Sequence, residues 1–291
     1  MAVIIPPTSE GQLEIFNDTP LAVNWKGTWM VYQWRKKLQH WLFPPTCLLC
    51  GMPGEGDRDL CQGCRNELPV NAVACGRCGM PLGTETASLC GQCQQHPPVF
   101  DRTCVPLLYQ SPVDFLIKEL KFHNRLAAAR LLGEWLGEAV ENRGGRQPEW
   151  LIPVPLHPAR LRERGFNQAL ELTRPVARRL HIPILADSVR RVRSTAPQSG
   201  LNAKTRPTNV RGAFIVNRPL HARHVAIVDD VITTGSTVSE LARVLRTAGV
   251  EEIEVWACAR ASGDTFTKPH DPHTRTGLRN QGGLEKGQAI P

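Results

Sequence analysis

The chain has 291 residues, 41% of them hydrophobic and 21% charged, with a formal charge of +8 and a pI of about 9.1. This composition excludes a disordered polyelectrolyte, and no apolar run is long enough for a membrane-spanning helix; there is room for one good-sized core and a small satellite module. The excess of cations favours polyanionic partners, nucleic acid or phosphorylated small molecules, without choosing between them.

Residues 1–29 predict no packed element and are read as an irregular extension, with Met30 as a candidate start. They contain no basic segment followed by an apolar one, so the expected location is the cytoplasm. Residues 30–46 form a basic, Trp-rich stretch of roughly helical spacing that ends at Phe43-Pro44-Pro45. In the cytoplasm the 10 cysteines would be reduced, and clustered ones serve metals rather than disulfides.

Residues 47–100 are rich in cysteine and glycine and short of large apolar side chains, so they cannot build a core without a cross-link. Four CxxC pairs follow one another: Cys47/Cys50, Cys61/Cys64, Cys75/Cys78 and Cys90/Cys93. The intervals between them are 10, 10 and 11 residues. Two-residue spacing lets a tight turn aim both thiolates at one ion, and eight ligands suit two tetrahedral four-cysteine zinc sites. A redox pair would need only one CxxC. With every position held by sulfur, the zinc is structural, contributing roughly 10–16 kcal/mol to the folding of a small module. The pairing of knuckles into sites, sequential or crossed, is left open. Cys104 and Cys258 stand alone on predicted strands and read as small core residues.

From residue 101 to 260 the pattern changes to alternating strands and helices. Strands are expected at 104–109, 151–154, 213–216, 225–228 and 252–259, with 184–192 extended. Helices are expected at 112–122, 126–140, 167–180 and 236–248, the third kinked or broken at Pro175. The alternation predicts an α/β domain whose mainly parallel sheet is flanked by helices, preceded by the zinc module. Residues 261–291 are polar and aperiodic and are expected to be a disordered tail.

The segment 225–237 carries the chemistry. The apolar run Val225-Ala226-Ile227-Val228 is followed by Asp229 and Asp230, then by Thr233, Thr234, Gly235, Ser236 and Thr237 at the start of a helix. Backbone N–H groups at a helix start, with the dipole behind them, make an anion site, and Gly235 allows a phosphate to approach closely. Carboxylates beside an anion site make sense when they meet sugar hydroxyls or a divalent cation. A phosphorylated ribose satisfies both demands. No GxxxxGK[ST] loop competes for the role. Two basic segments flank this one. The first holds Arg160, Arg162 and Arg164 before Gly165-Phe166-Asn167-Gln168; the second, 193–214, holds Gln198, Lys204, Arg206, Asn209 and Arg211 and reads as a flap that closes over an anion.

The strand, acid pair and TTGST loop resemble the motif with which type I phosphoribosyltransferases bind 5-phosphoribosyl-1-pyrophosphate (PRPP). Together with Phe43-Pro44-Pro45 before Cys47-x-x-Cys50-Gly51, Leu120-Lys121-Phe122 and Arg164-Gly165-Phe166-Asn167-Gln168, they make residues 38 to 260 similar to the ComF family, which includes GntX-type DNA-utilisation proteins. The resemblance implies a double zinc ribbon before a phosphoribosyltransferase fold. It implies PRPP with Mg²⁺ at Val228, Asp229, Asp230 and Thr233 to Thr237, with Asp229 and Asp230 on the ribose hydroxyls, and Arg164, Lys204 and Arg206 as added anion contacts. It also implies a setting in single-stranded DNA uptake with a helicase-type partner. Three functions compete: PRPP binding in DNA uptake, an active transferase that displaces pyrophosphate onto an unspecified acceptor, and a non-enzymatic DNA- or helicase-binding scaffold. A salvage enzyme would leave the zinc module unexplained. Neither the acceptor nor the oligomeric state is written in the sequence.

Overall fold

The computed structural model describes residues 44–84, 87–193 and 210–261. The expected helix at 30–42, Lys204 and Arg206 of the flap, and the tail beyond 261 lie outside these residues. The chain divides after Pro45, and nearly all the described residues belong to the compact unit that begins at Thr46.

The cysteine-rich segment contains two short helices, α1 (Gln62–Asn66) and α2 (Gly91–Gln95). Then follow β1 (Arg102–Cys104), β2 (Leu107–Leu108), α3 (Val113–His123), α4 (Leu126–Arg143) and β3 (Trp150–Pro153). After these come α5 (Pro158–Arg164), α6 (Gln168–Leu180), β4 (Val189–Arg191), β5 (Phe214–Val216), β6 (His224–Ile232), α7 (Ser236–Thr247) and β7 (Glu252–Arg260).

The main sheet is parallel throughout. β7 lies between β6 on one side and β1 and β2 on the other, and β3 flanks β6. Both central strands are buried on both faces, as near-continuous apolar runs in a parallel sheet require. Their side chains alternate between two cores. Ala226, Val228, Trp256 and Cys258 face a core with α3, α4 and α6, while Val225, Ile227, Ile253, Val255 and Ala257 face a core with α7 and the β4–β5 hairpin.

Three expectations are corrected by the backbone. The 104–109 strand is two short strands, because Pro106 has no N–H to give to the ladder. The register is nonetheless unbroken, Cys104 facing Trp256 and Leu107 facing Ala259. The strand at 225–228 continues to Ile232, because β7 is long enough to pair with it that far. Pro175 was expected to kink or break its helix, yet α6 runs past it uninterrupted. Asn167 caps its start, the side-chain oxygen accepting from the Ala169 N–H at 3.0 Å, and His181 ends it in the left-handed conformation.

Candidate functional site

β3 stops pairing at Pro153, opposite Val228, and the last rung on that side is the Val154 N–H donating to the Val228 carbonyl at 2.9 Å. Asp229 and Asp230 come next. On the β7 side they are still within the ladder, whereas on the β3 side the sheet has opened. This is the carboxyl edge of a parallel sheet, where neighbouring strands part and ligands bind in open α/β folds.

Asp230 lies on the α3 side and is buried. Its carboxylate pairs with Lys121 Nζ at 2.5 Å. Burial pulls the Lys121 ammonium down, but the charges of Asp230 and Asp229 outweigh it and leave its pKa above the usual value. The Asp229 carboxyl is pushed up to about 8, first by burial and then by the charge of Asp230. Two adjacent carboxylates beside one half-buried cation repel each other, which raises the acid that the cation does not pair. Each carboxylate also accepts the next backbone N–H, Asp229 from Asp230 at 2.9 Å and Asp230 from Val231 at 2.8 Å.

The loop then turns at Gly235, whose φ of +77° favours a residue without Cβ, and enters α7. Thr234 and Ser236 share a hydroxyl hydrogen bond of 2.9 Å at the exposed surface of this turn. The Ser236 and Thr237 backbone opens α7, and the first turn of a helix is where backbone N–H groups can meet an anion. Arg164, the last residue of α5, donates to Gln168 Oε1 at 2.8 Å and lies 5.7 Å over the ring of Phe122. Its pKa is lowered by burial, partly offset by the charge of Asp230.

Three cations at this edge carry no role in the sequence reading. Lys121 is visible there only as part of Leu120-Lys121-Phe122. The available signal was a lysine one turn past Ile117, on the helix face that also buries Leu116 and Leu120. Arg191 of β4 stands 5.5 Å over the Phe214 ring, and its pKa is lowered by burial against the opposing pull of Asp229. Arg260 ends β7 and is buried.

The eight knuckle cysteines form two sequential groups, Cys47, Cys50, Cys61 and Cys64, then Cys75, Cys78, Cys90 and Cys93. Within each group the ligand sulfurs lie within 4.8 Å of one another. The spacing therefore resolves as first-with-second and third-with-fourth. Against the upward push of burial, backbone N–H groups lower Cys47 to about 6 and Cys75 to about 7. Burial and the neighbouring thiols drive Cys64 and Cys93 far upward. Four cysteine sulfurs gathered this closely are a donor set that zinc completes. These are two four-cysteine zinc-ribbon sites. Cys104 and Cys258 are buried core residues.

Comparison with known proteins agrees with this layout. A double zinc ribbon family model matches residues 38–94, and a phosphoribosyl transferase domain model matches residues 167–279. The chain is 37% identical over 222 residues to the DNA utilization protein YhgH of Escherichia coli K12, covering 75% of this chain and 97% of that protein. It is 41% identical over 209 residues to Competence protein F of Haemophilus influenzae, covering 69% and 90%. Among solved structures, the glutamine PRPP amidotransferase from B. subtilis is similar at 21% identity and a TM-score of 0.29, over 45% of this chain and 26% of that one. The chain belongs to the family of DNA utilization protein YhgH and Competence protein F, a phosphoribosyltransferase fold with a double zinc ribbon on its N-terminal side.

Proposed function

We propose that this protein binds PRPP at the carboxyl edge of β6 and serves the handling of unpaired DNA. One observation carries the ligand reading: the acid pair lies just past the last β3 rung and runs without interruption through left-handed Gly235 into the start of α7. In this reading the 5′-phosphate takes the N–H groups and hydroxyls of Thr233 to Thr237, and the ribose hydroxyls donate to Asp229 and Asp230. Arg164, with Lys204 and Arg206 assigned from sequence alone, meets the pyrophosphate. The acid pair offers hard oxygen donors, and the raised Asp229 would be relieved by hydroxyl donors or a cation. Mg²⁺ accompanying PRPP would neutralise pyrophosphate charge.

A thermal-shift series tests this reading. PRPP with Mg²⁺ at a hundredfold excess over Kd should stabilise the protein by about 2.7 kcal/mol. Ribose 5-phosphate should give a smaller shift and free ribose none. Equal shifts from all three would remove the reading.

The DNA partner is supported by the relatives' names, by the charge of +8 and by Phe122. That ring is 68% exposed, with the Arg164 guanidinium lying over it. Exposed aromatic rings beside arginine stack unpaired bases with little sequence preference. Replacing Phe122 by Ala should weaken binding to a single-stranded oligonucleotide by about 1–3 kcal/mol, read by fluorescence anisotropy at fixed salt. Unchanged affinity would place the DNA elsewhere. The helicase-type partner implied by the family resemblance belongs to the same proposal.

A further inference from the structure

Arg260 is 6% exposed, and its guanidinium donates to four backbone carbonyls and also interacts with the Cys78 side chain. Nε donates to the Cys78 carbonyl at 3.0 Å. Nη1 donates to Ile232 at 2.8 Å, to Ala261 at 2.9 Å and to Thr233. One guanidinium thus joins a zinc knuckle to the strand end and the first residue of the anion-binding loop. A buried cation without a carboxylate is costly unless another negative charge lies near it. Four thiolates around one Zn²⁺ carry a net charge of about −2, and Cys78 belongs to such a set.

The knuckle is held firmly enough to transmit its position. Gly79 N–H donates to the Cys75 carbonyl at 2.8 Å, and Asn71 Nδ2 holds the Gly79 carbonyl at 2.9 Å. Thr103 N–H, on β1, donates to the Gly76 carbonyl at 2.9 Å. The first zinc site has different neighbours. Its segment docks on α4, where Arg58 pairs with Glu138 at 2.6 Å and Arg65 lies 5.6 Å over Trp135. Among the described residues, only the second site is joined to the loop by hydrogen bonds through Arg260.

We infer that Arg260 is a positioning residue through which the second zinc site, and not the first, fixes the loop at 232–236 for its ligand. The functional consequence rests on the PRPP reading above; the mechanical one does not. Lysine at 260 would supply charge but could not reach the knuckle and loop carbonyls together, since it lacks the planar fork.

The test uses the full chain as wild type, Cys50→Ser, Cys90→Ser and Arg260→Lys. Zinc per chain, amide hydrogen exchange at 232–236 and PRPP affinity by calorimetry are measured for each. Arg260→Lys should keep both zinc ions, and Cys90→Ser should lose one. Both should exchange faster at 232–236 and bind PRPP roughly tenfold or more weakly, the scale of a lost charge-assisted hydrogen bond. Cys50→Ser should lose the other zinc and leave the loop as in wild type. Wild-type exchange and affinity in Arg260→Lys would overturn the inference, as would equal loosening by Cys50→Ser. If Cys90→Ser does not fold, Arg260→Lys decides alone. If wild type does not bind PRPP, that reading fails while loop exchange still decides the coupling.

Discussion

At the scale of single residues, the site is governed by two acids sharing one half-buried ammonium. Asp229, with its carboxyl raised from 3.8 to about 8, is a proton donor waiting for a ligand. A raised acid stabilises the folded, ligand-free state fully below its unfolded pKa, and that contribution is lost as pH rises through the folded pKa. The ligand-free protein should therefore lose melting temperature from about pH 4 to about pH 8, and level off above, relative to Asp229→Asn. Ribose hydroxyls favour the ionised form, so PRPP affinity should rise from pH 7 to 8 and level off above. The groups facing Asp229 are Asp230, Lys121 from α3 and Arg191 from β4. Calorimetry across this range should show proton release in wild type and none in Asp229→Asn; a flat profile in wild type would mean Asp229 is already ionised. The motif residues were legible in sequence because strand, acids and loop are contiguous. Lys121, Arg191 and Arg260 were not given roles, because α3, β4 and β7 are brought to this edge only by the fold.

At the scale of elements, α4 and α6 meet at a glycine. A Cβ on Gly133 would lie 2.4 Å from Pro175 Cγ and 2.5 Å from the Leu172 carbonyl. The proline that should break α6 is thus packed into the space that Gly133 leaves open. Gly133→Ala should destabilise the protein by about 1–3 kcal/mol through overpacking, measured by urea unfolding; a change under about 0.5 kcal/mol, the scale of an ordinary surface substitution, would contradict this packing. Periodicity located α3, α4, α6 and α7 to within a few residues, since each buries one stripe. Strand ends were harder to read. How far β6 extends depends on the length of β7, and the interruption between β1 and β2 depends on Pro106.

At the scale of the whole molecule, the zinc module is not a loosely hung appendage within the unit beginning at Thr46. Cys47, Leu60 and Leu68 share one buried core with Leu107, Leu131 and Trp256. Chelation should accordingly lower the main unfolding transition seen by scanning calorimetry, rather than remove a separate small one. Nothing in the spacing of the cysteines could reveal this, because the spacing records ligands and not what Leu60 and Leu68 touch. Among the described residues no helix is long and apolar enough to cross a membrane.

The central claim is that the carboxyl edge of β6 is a PRPP site, and calorimetric titration with PRPP and Mg²⁺ tests it most directly. Wild-type protein carrying two zinc ions should bind one PRPP per chain, and Asp229→Ala/Asp230→Ala should bind it at least about tenfold more weakly. Absence of binding by the zinc-loaded wild type, or equal affinity in the double variant, would contradict the account.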